Sequence, residues 1–324
     1  MRPIVLFTMF YRVWSRARRD MVRDWETTNP RSYWWGVAGR STERCMWEHA
    51  ALDEGTKGLS VAAVSLLLDL VKCYDLVSHP AVLAQAIALN FPLAVLRLSL
   101  AAYGAHRRIT LRGAVSREVQ AMRGVAAGCG QATTLLKVLL MQLLDNLSER
   151  HPAVQIRVVV DDISGQVIER PPKAARAMVA FTKDLYTGLE TDLGMEVSRT
   201  KTAVLSSSPL LGKLVLRGMR SLGMQLKVHV RQLGVDYNAG RRRCTKIAAG
   251  RVKKVVQSAP RFKMLRRAGA GVAGLLRTGA IPRMVYGASV QGISTTQLKA
   301  MRKVAGGLIS DAKGGRSLAS GWRP

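Results

Sequence analysis

Acidic residues are scarce in this sequence. Its 324 residues hold 21 Asp and Glu against 50 Lys and Arg, a formal net charge of +29. Such an excess does not specify a fold, but it calls for a polyanionic partner, nucleic acid before an anionic membrane surface. Cysteine is sparse too, with only Cys45, Cys73, Cys129 and Cys244. None forms a C-x-x-C pair and no histidine stands at zinc spacing beside them, so they read as reduced thiols of an intracellular protein. Long apolar runs are missing. The most apolar stretch, 93–105, is broken by Arg97 and is too short to span a bilayer, so no membrane partner is expected. The N-terminus has a short apolar run without a cleavage site and turns basic from Tyr11, which argues against a secretory leader. No internal repeat is visible.

What is present is a chain able to fold. Hydrophobic residues make up 48%, too many for a disordered basic tail, and the length allows two domains with a sizeable core. The charge is concentrated at one end. Residues 240–324 contain nineteen Lys or Arg and a single acid, Asp311.

The few acids are placed informatively. Asp161 and Asp162 follow the apolar run Ile156, Val158, Val159, Val160, and Ile163 resumes it. The pattern reads as strand, tight turn, strand, with two acids at the bend. Adjacent like charges repel, and a bound divalent cation would reverse the sign of that interaction. Ninety residues upstream, the run Val64-Ser65-Leu66-Leu67-Leu68 ends in Asp69. It fits a strand buried on both faces, although a buried helix segment has the same pattern. Strand ends carrying Asp69, Asp161 and Asp162 side by side could hold two Mg²⁺ ions, as phosphoryl-transfer sites do.

Around these acids the spacing predicts one helix over 5–25, broken at Thr28-Asn29-Pro30, and a glycine-bearing loop at 34–42 with Ser41 or Thr42 as a helix N-cap. Helices are predicted over 81–89 after Ser78-His79-Pro80, over 93–103, over 132–147, and over 172–193 with Gly194 as the stop. Residues 107–115 have strand character, 124–130 form a glycine loop, and Ala203-Val204-Leu205 is a short strand. The stretch 206–231 is poorly legible. Residues 231–236 resemble a bend in a strand pair. From Lys246 the pattern is helical and basic, broken at 269–274 and at Pro282. One sheet backed by helices, an α+β architecture, accounts for this order.

Taken in order, these segments resemble a reverse transcriptase, most similar to those of non-LTR retrotransposons. Leu68-Asp69-Leu70-Val71-Lys72-Cys73-Tyr74-Asp75 resembles the first catalytic motif of that family. Residues 123–129 resemble its glycine-containing second motif, and Val159-Val160-Asp161-Asp162 its aspartate-pair hairpin. Val197-Ser198-Arg199-Thr200-Lys201-Thr202 resembles the lysine motif and Leu233-Gly234-Val235 the next. Arg2-Pro3-Ile4 with Tyr11-Arg12 resembles a fingers segment, and Tyr286-Gly287-Ala288 a thumb segment. Val159, Ala127 and Ala132-Thr133 stand where the family has an aromatic, a glutamine and Ser-Pro.

The resemblance implies a right-hand polymerase, with partial fingers over 1–60, a palm with interleaved fingers elements over 61–238, and a basic helical thumb over 239–324. Upstream fingers elements, an endonuclease and an RNase H module are not expected. It implies an RNA template, a DNA primer and dNTPs as partners, two Mg²⁺ ions (Mn²⁺ as an alternative), and a nuclear location. Asp69, Asp161 and Asp162 would be the metal ligands, with Asp162 more a support. Tyr74 would exclude a ribose 2′-hydroxyl, or else be a core aromatic. Lys201 would contact the triphosphate or protonate pyrophosphate, or be a solvent lysine. Arg40 would reach phosphates, and Gly128 would let backbone approach the base pair; each has a plainer reading as a surface arginine and a turn glycine. Leu233 and Gly234 would position the primer end or simply join palm to thumb. Arg241, Arg242, Arg243, Lys253 and Lys254 would grip phosphates without reading sequence. Two rivals stay open: a catalytically inert retroelement fragment that binds nucleic acid, and an RNA-dependent RNA polymerase.

Overall fold

The run that ends in Asp69 is a strand, Ala62–Leu68 (β1), with all seven residues buried. A run of this kind, interrupted only by Ser65, fits a central strand with both faces covered. In a computed structural model the structure describes residues 5, 7–56, 58–126, 128–239 and 244–309. Before β1 come helices Met9–Ala17 (α1), Arg19–Thr28 (α2) and Thr42–Gly55 (α3); after it come Cys73–Leu76 (α4), His79–Ala88 (α5) and Leu93–Gly104 (α6). A small hairpin follows, Thr110–Leu111 (β2) and Ala114–Val115 (β3), then the long helix Ala132–Arg150 (α7). Next are Gln155–Val159 (β4), Asp162–Glu169 (β5), Pro171–Tyr186 (α8), Ala203–Ser206 (β6), Pro209–Gly218 (α9) and Gln225–Leu226 (β7). The remainder comprises His229–Gln232 (β8), Val235–Asn238 (β9), and helices Lys246–Gln257 (α10), Ala259–Arg267 (α11), Val272–Leu275 (α12), Ile281–Val285 (α13), Ala288–Gln291 (α14) and Thr295–Ile309 (α15).

The main sheet has the order β4-β5-β1-β6-β7, antiparallel except for the parallel β6-β7 pair. Side chains alternate across it. Val64, Leu66 and Leu68 join Met178 and Phe181 of α8 in the large core, and α9 packs beside α8. The opposite face is polar yet buried. Ser65, Arg157, Ser164 and Gln166 lie there, and Arg157 donates to Gln166 at 3.0 Å and to Gln155 at 2.8 Å. The same alternation puts Asp69 and Asp162 on this polar face, away from the core.

The chain packs as two compact units, Met1–Gly39 with Gly58–Leu226, and Arg40–Lys57 with Lys227–Pro324. These bounds differ from the three sequence segments expected above, because α3 groups with the C-terminal part. In the second unit the Tyr237 hydroxyl donates to Asp53 of α3, the Gly287 amide donates to Glu43 at 2.8 Å, and Val255, Leu276, Met284 and Met301 form a separate core.

The α+β expectation and the helix-backed sheet hold. Several elements differ in detail. The helix expected over 5–25 is two helices, because Arg18 leaves the helical region (φ −95°, ψ 5°) with no local breaker. The strand expected over 107–115 is a hairpin, turned by Arg112 and Gly113, both at positive φ. The helix expected to run to Leu193 widens into a π-turn over Thr187–Asp192. Pro282 is the second residue of α13, which follows directly on a π-turn over Leu276–Ala280, so the helical backbone runs through it rather than ending there. Ser41 is the N-cap of α3, accepting from the Arg44 amide at 3.0 Å. Among the described residues no helix is long and apolar enough to cross a membrane.

Candidate active site

Antiparallel pairing assembles the three acids. β1 pairs with β5 up to Leu68 against Ile163. Asp69 directly follows β1 and Asp162 is the first residue of β5, so one more step of the same register would set them opposite each other. Paired Cα atoms in such ladders lie about 4.5–5.5 Å apart. Asp161 completes a two-residue turn closed by the pair Val159 and Asp162. The Asp69 carbonyl accepts from the Ser198 amide at 2.8 Å, and its amide donates to the Thr202 hydroxyl at 3.3 Å.

The turn is strained. Val160 has φ +61°, a conformation that costs a β-branched residue on the order of 1–3 kcal/mol and persists only where neighbours enforce it. The enforcing segment is 33–36. Val158 donates to the Tyr33 carbonyl and accepts from the Trp35 amide, both at 2.8 Å. A Cβ at position 36 would fall 3.2 Å from the Val160 nitrogen, so glycine lets this segment lie against the turn. The sequence reading has 34–42 as a loop; its first residues extend the sheet as an edge.

Electrostatics tie the acids together. Burial first, then the charges of Asp161 and Asp69, push the Asp162 carboxyl up to about 6, with Lys201 opposing. Burial, Asp161 and Asp69 also push the Cys73 thiol up. Lys201 lies 3.0 Å from Asp69 Oδ2 as a largely exposed ion pair, which holds Lys201 at the carboxylate cluster and adds little stability. Because the folded state keeps a proton on Asp162 to higher pH than the unfolded chain, stability falls as pH rises from the ordinary carboxylate range through about 6. Asp162→Asn is therefore expected to raise the melting temperature by a few degrees at about pH 7.5 in EDTA. The gain should shrink as pH falls through about 6 and vanish below the ordinary carboxylate value of 3.8, where both states are protonated. Differential scanning fluorimetry across pH would show it, and an unchanged melting temperature at neutral pH would contradict the electrostatic crowding.

Tyr74 stands in the first turn after β1. Burial raises its hydroxyl, a hydrogen bond with Thr133 opposes this, and the Asp161 charge adds to the rise. Its backbone position is fixed from the second-motif loop. The Val125 amide donates to the Tyr74 carbonyl at 2.7 Å and the Gly124 amide to that of Val77 at 2.8 Å. Gly124 has φ +94°, and a Cβ there would meet the Asp75 carbonyl at 3.0 Å, so only glycine fits this approach. Asp75 itself is exposed on α4.

Gly128 is also in the left-handed region, with φ +104°. It lines a cavity of about 620 Å³ with Arg12, Arg16, Arg19 and Arg23 from α1 and α2 and with Gly36 to Ala38. From the sequence, Arg16, Arg19 and Arg23 have no role, and Arg12 has only a place in a fingers-like segment. Their spacing of four, three and four residues on helices is the signal that could have found this basic wall.

The remaining expected residues lie in the second unit. Leu233 and Gly234 form the β8-β9 turn, at φ +47° and +81°. Tyr286 donates to the Leu233 carbonyl at 2.9 Å. Arg251 donates to the carbonyls of Gly234 and Tyr286 and stacks on the Tyr286 ring at 4.6 Å. The two family-like segments 233–235 and 286–288 thus form one cluster. Arg40 is exposed beside the Ser41 cap, and Lys253 and Lys254 are exposed on α10. Arg241, Arg242 and Arg243, together with Arg2-Pro3-Ile4, lie outside the described residues.

No family model matches the sequence, and no curated protein matches it. Solved structures do. Telomerase from Candida tropicalis in complex with a TWJ fragment of telomeric RNA aligns with TM-score 0.52 at 10% identity, over 93% of this chain and 56% of its own. The Candida albicans complex with a TWJ fragment of telomeric RNA aligns with TM-score 0.51 at 11% identity, over 92% and 55%. The fold is that of a reverse transcriptase. The chain spans little more than half the length of those telomerases. Within the reverse-transcriptase fold, Asp69, Asp161, Asp162, Lys201 and Tyr74 share one site on the first unit.

Proposed function

We propose that the chain is an RNA-directed DNA polymerase, a nucleotidyltransferase that adds dNTPs to a primer 3′-hydroxyl, of the non-LTR retrotransposon type. The observation that carries this is the meeting of Asp69 with the Asp161-Asp162 turn on the polar face of the sheet, within a reverse-transcriptase fold. The order of sequence motifs supports the retrotransposon type. RNA in the telomerase complexes and the net charge of +29 support an RNA template.

Three crowded carboxylates, one held partly protonated by burial and then by its neighbours' charges, are the donor set that Mg²⁺ accepts. Asp69, Asp161 and Asp162 would hold two Mg²⁺ ions, which when bound supply Lewis-acid stabilisation of the attacking and leaving oxygens. The chain's own residues position the reactants. Tyr74 lies under the incoming sugar and leaves no room for a 2′-hydroxyl. Lys201, already at the carboxylates, exchanges Asp69 for the triphosphate and gives a proton to departing pyrophosphate. Arg12, Arg16, Arg19 and Arg23 hold template phosphates beside Gly128. The Leu233-Gly234 turn supports the primer end, Arg40 reaches phosphates, and Lys253, Lys254 and Arg241–Arg243 grip the backbone of the duplex. The first unit then contains palm and partial fingers, the basic helices of the second are the thumb, and the site of action is nuclear.

A primed RNA template, Mg²⁺ and either dNTPs or rNTPs test the reading with the purified chain. Extension with dNTPs is the expected result. Preference for rNTPs would instead identify an RNA polymerase, and nucleic-acid binding without any extension would identify an inert remnant.

A further inference from the structure

Cys244 was expected to be a plain thiol, because no histidine stands at zinc spacing in the sequence. The fold brings one to it. His229 is on β8 and Asp236 on β9, where the register pairs Arg231 with Asp236 and His229 with Asn238. His229 and Asp236 are therefore diagonal neighbours on one face of the hairpin. Cys244 arrives from the approach to α10. The ligand atoms of all three lie within 4.8 Å of one another. His229 Nε2 is 2.9 Å from Asp236 Oδ1, and Cys244 Sγ is 3.9 Å from the same oxygen.

We infer that His229, Asp236 and Cys244 form a zinc site that clips the β8-β9 hairpin to the start of α10. Tetrahedral coordination at ordinary Zn–N, Zn–O and Zn–S lengths sets N···O apart by about 3.3 Å and S···O by about 3.5 Å. Each observed separation needs to change by only about 0.4 Å to meet those values. The carboxylate is already aimed. Asp236 is 2% exposed, and its oxygens accept from the Ile247 and Ala248 amides at 3.0 Å. These helix amides fix its rotamer, as outer partners do at metal centres. A helix cap alone needs neither an imidazole nor a thiol on its free side. His229 and Cys244 are half-buried, so an ion can reach them.

The donor chemistry selects the metal. One sulfur, one imidazole and one carboxylate suit Zn²⁺, whereas Mg²⁺ takes oxygen ligands. On binding, the Cys244 thiol proton leaves to solvent with no change of oxidation state. Thiolate and carboxylate then offset the charge of the ion, which permits a cation in a region rich in Lys and Arg. Water fills the fourth position. The Leu233-Gly234 turn is at the tip of the same hairpin, and Asp236 and Cys244 flank Arg241-Arg242-Arg243 in the sequence. The clip thus anchors the hairpin that carries this turn, and it stands whether or not the chain polymerises DNA.

The test uses the full chain, purified from zinc-supplemented medium and dialysed. Metal analysis should find one zinc per chain, and Co²⁺ exchanged into the site should give a thiolate-to-cobalt charge-transfer band. Cys244→Ser, a near-isosteric change, should lose that band and the rise in melting temperature on zinc addition. His229→Gln should lose stoichiometric zinc. Asp161→Asn should retain it, which separates this site from the carboxylate cluster. Absence of zinc from the wild-type chain at micromolar Zn²⁺, a cobalt spectrum without the thiolate band, or zinc binding undiminished in both Cys244→Ser and His229→Gln would each overturn the assignment.

Discussion

Asp161→Asn should lose primer extension by about 10³-fold while the chain stays folded and still binds nucleic acid. Asparagine keeps the shape of the side chain in the two-residue turn but removes one of three clustered charges. Loss of a ligand for a catalytic cation forfeits several kcal/mol of transition-state stabilisation, and each 1.36 kcal/mol is tenfold in rate. Stability should move the other way. Asp161 is one of the charges that raise Asp162, so its neutralisation relieves repulsion and the metal-free protein should melt no lower than wild type. Falling activity with unchanged or rising stability distinguishes a reaction centre from a structural turn. Single-turnover extension and a melting curve on the same preparation measure both. Extension within about tenfold of wild type would remove the carboxylate cluster from the chemistry.

Tyr74→Ala is the second large effect, and it concerns choice of substrate rather than rate. The Tyr74 backbone is clamped by Val125, its neighbour Asp75 lies against Gly124, and its hydroxyl meets Thr133. A ring held this firmly cannot retreat from an added 2′-hydroxyl. Steric exclusion of one small group is worth about 10²-fold in kcat/KM. The ratio of rNTP to dNTP incorporation should rise by that factor, with dNTP use much less affected. A ratio that does not move would return Tyr74 to the role of a packing aromatic.

The parts of this fold legible in the sequence are those where one physical requirement dominates. β1 was legible as a buried element because only Ser65 interrupts its apolar run, a pattern that a buried helix segment shares. The Asp161 turn was legible because apolar runs flank it on both sides. The start of α5 was announced by Ser78 and Pro80, which cap and open a helix. The illegible parts depend on distant partners. Nothing local marks Arg18 as a break between α1 and α2. The edge contributed by residues 33–35 exists only because β4 offers unpaired groups beside it. Gly36 is needed for a contact with a residue far along the chain, and no spacing rule encodes that. The same holds for the site. Asp69 and Asp161 announce themselves by type and setting and Tyr74 only through the family resemblance, whereas Thr133 matters only through the ring it reaches, and His229 and Cys244 meet only once β8 and β9 have paired.

The placement of α3 has a consequence for how the molecule is made. Its partners lie at the other end of the chain, and Asp53 is separated from Tyr237 by 184 residues. At about 5–20 residues per second of synthesis, α3 waits roughly 10–40 s after leaving the ribosome for its neighbours. During that interval Cys45, Met46 and His49, all buried in the finished protein, have no permanent cover. Recombinant production should therefore be sensitive to translation speed and to chaperone supply, and fragments ending near residue 226 should aggregate through this helix.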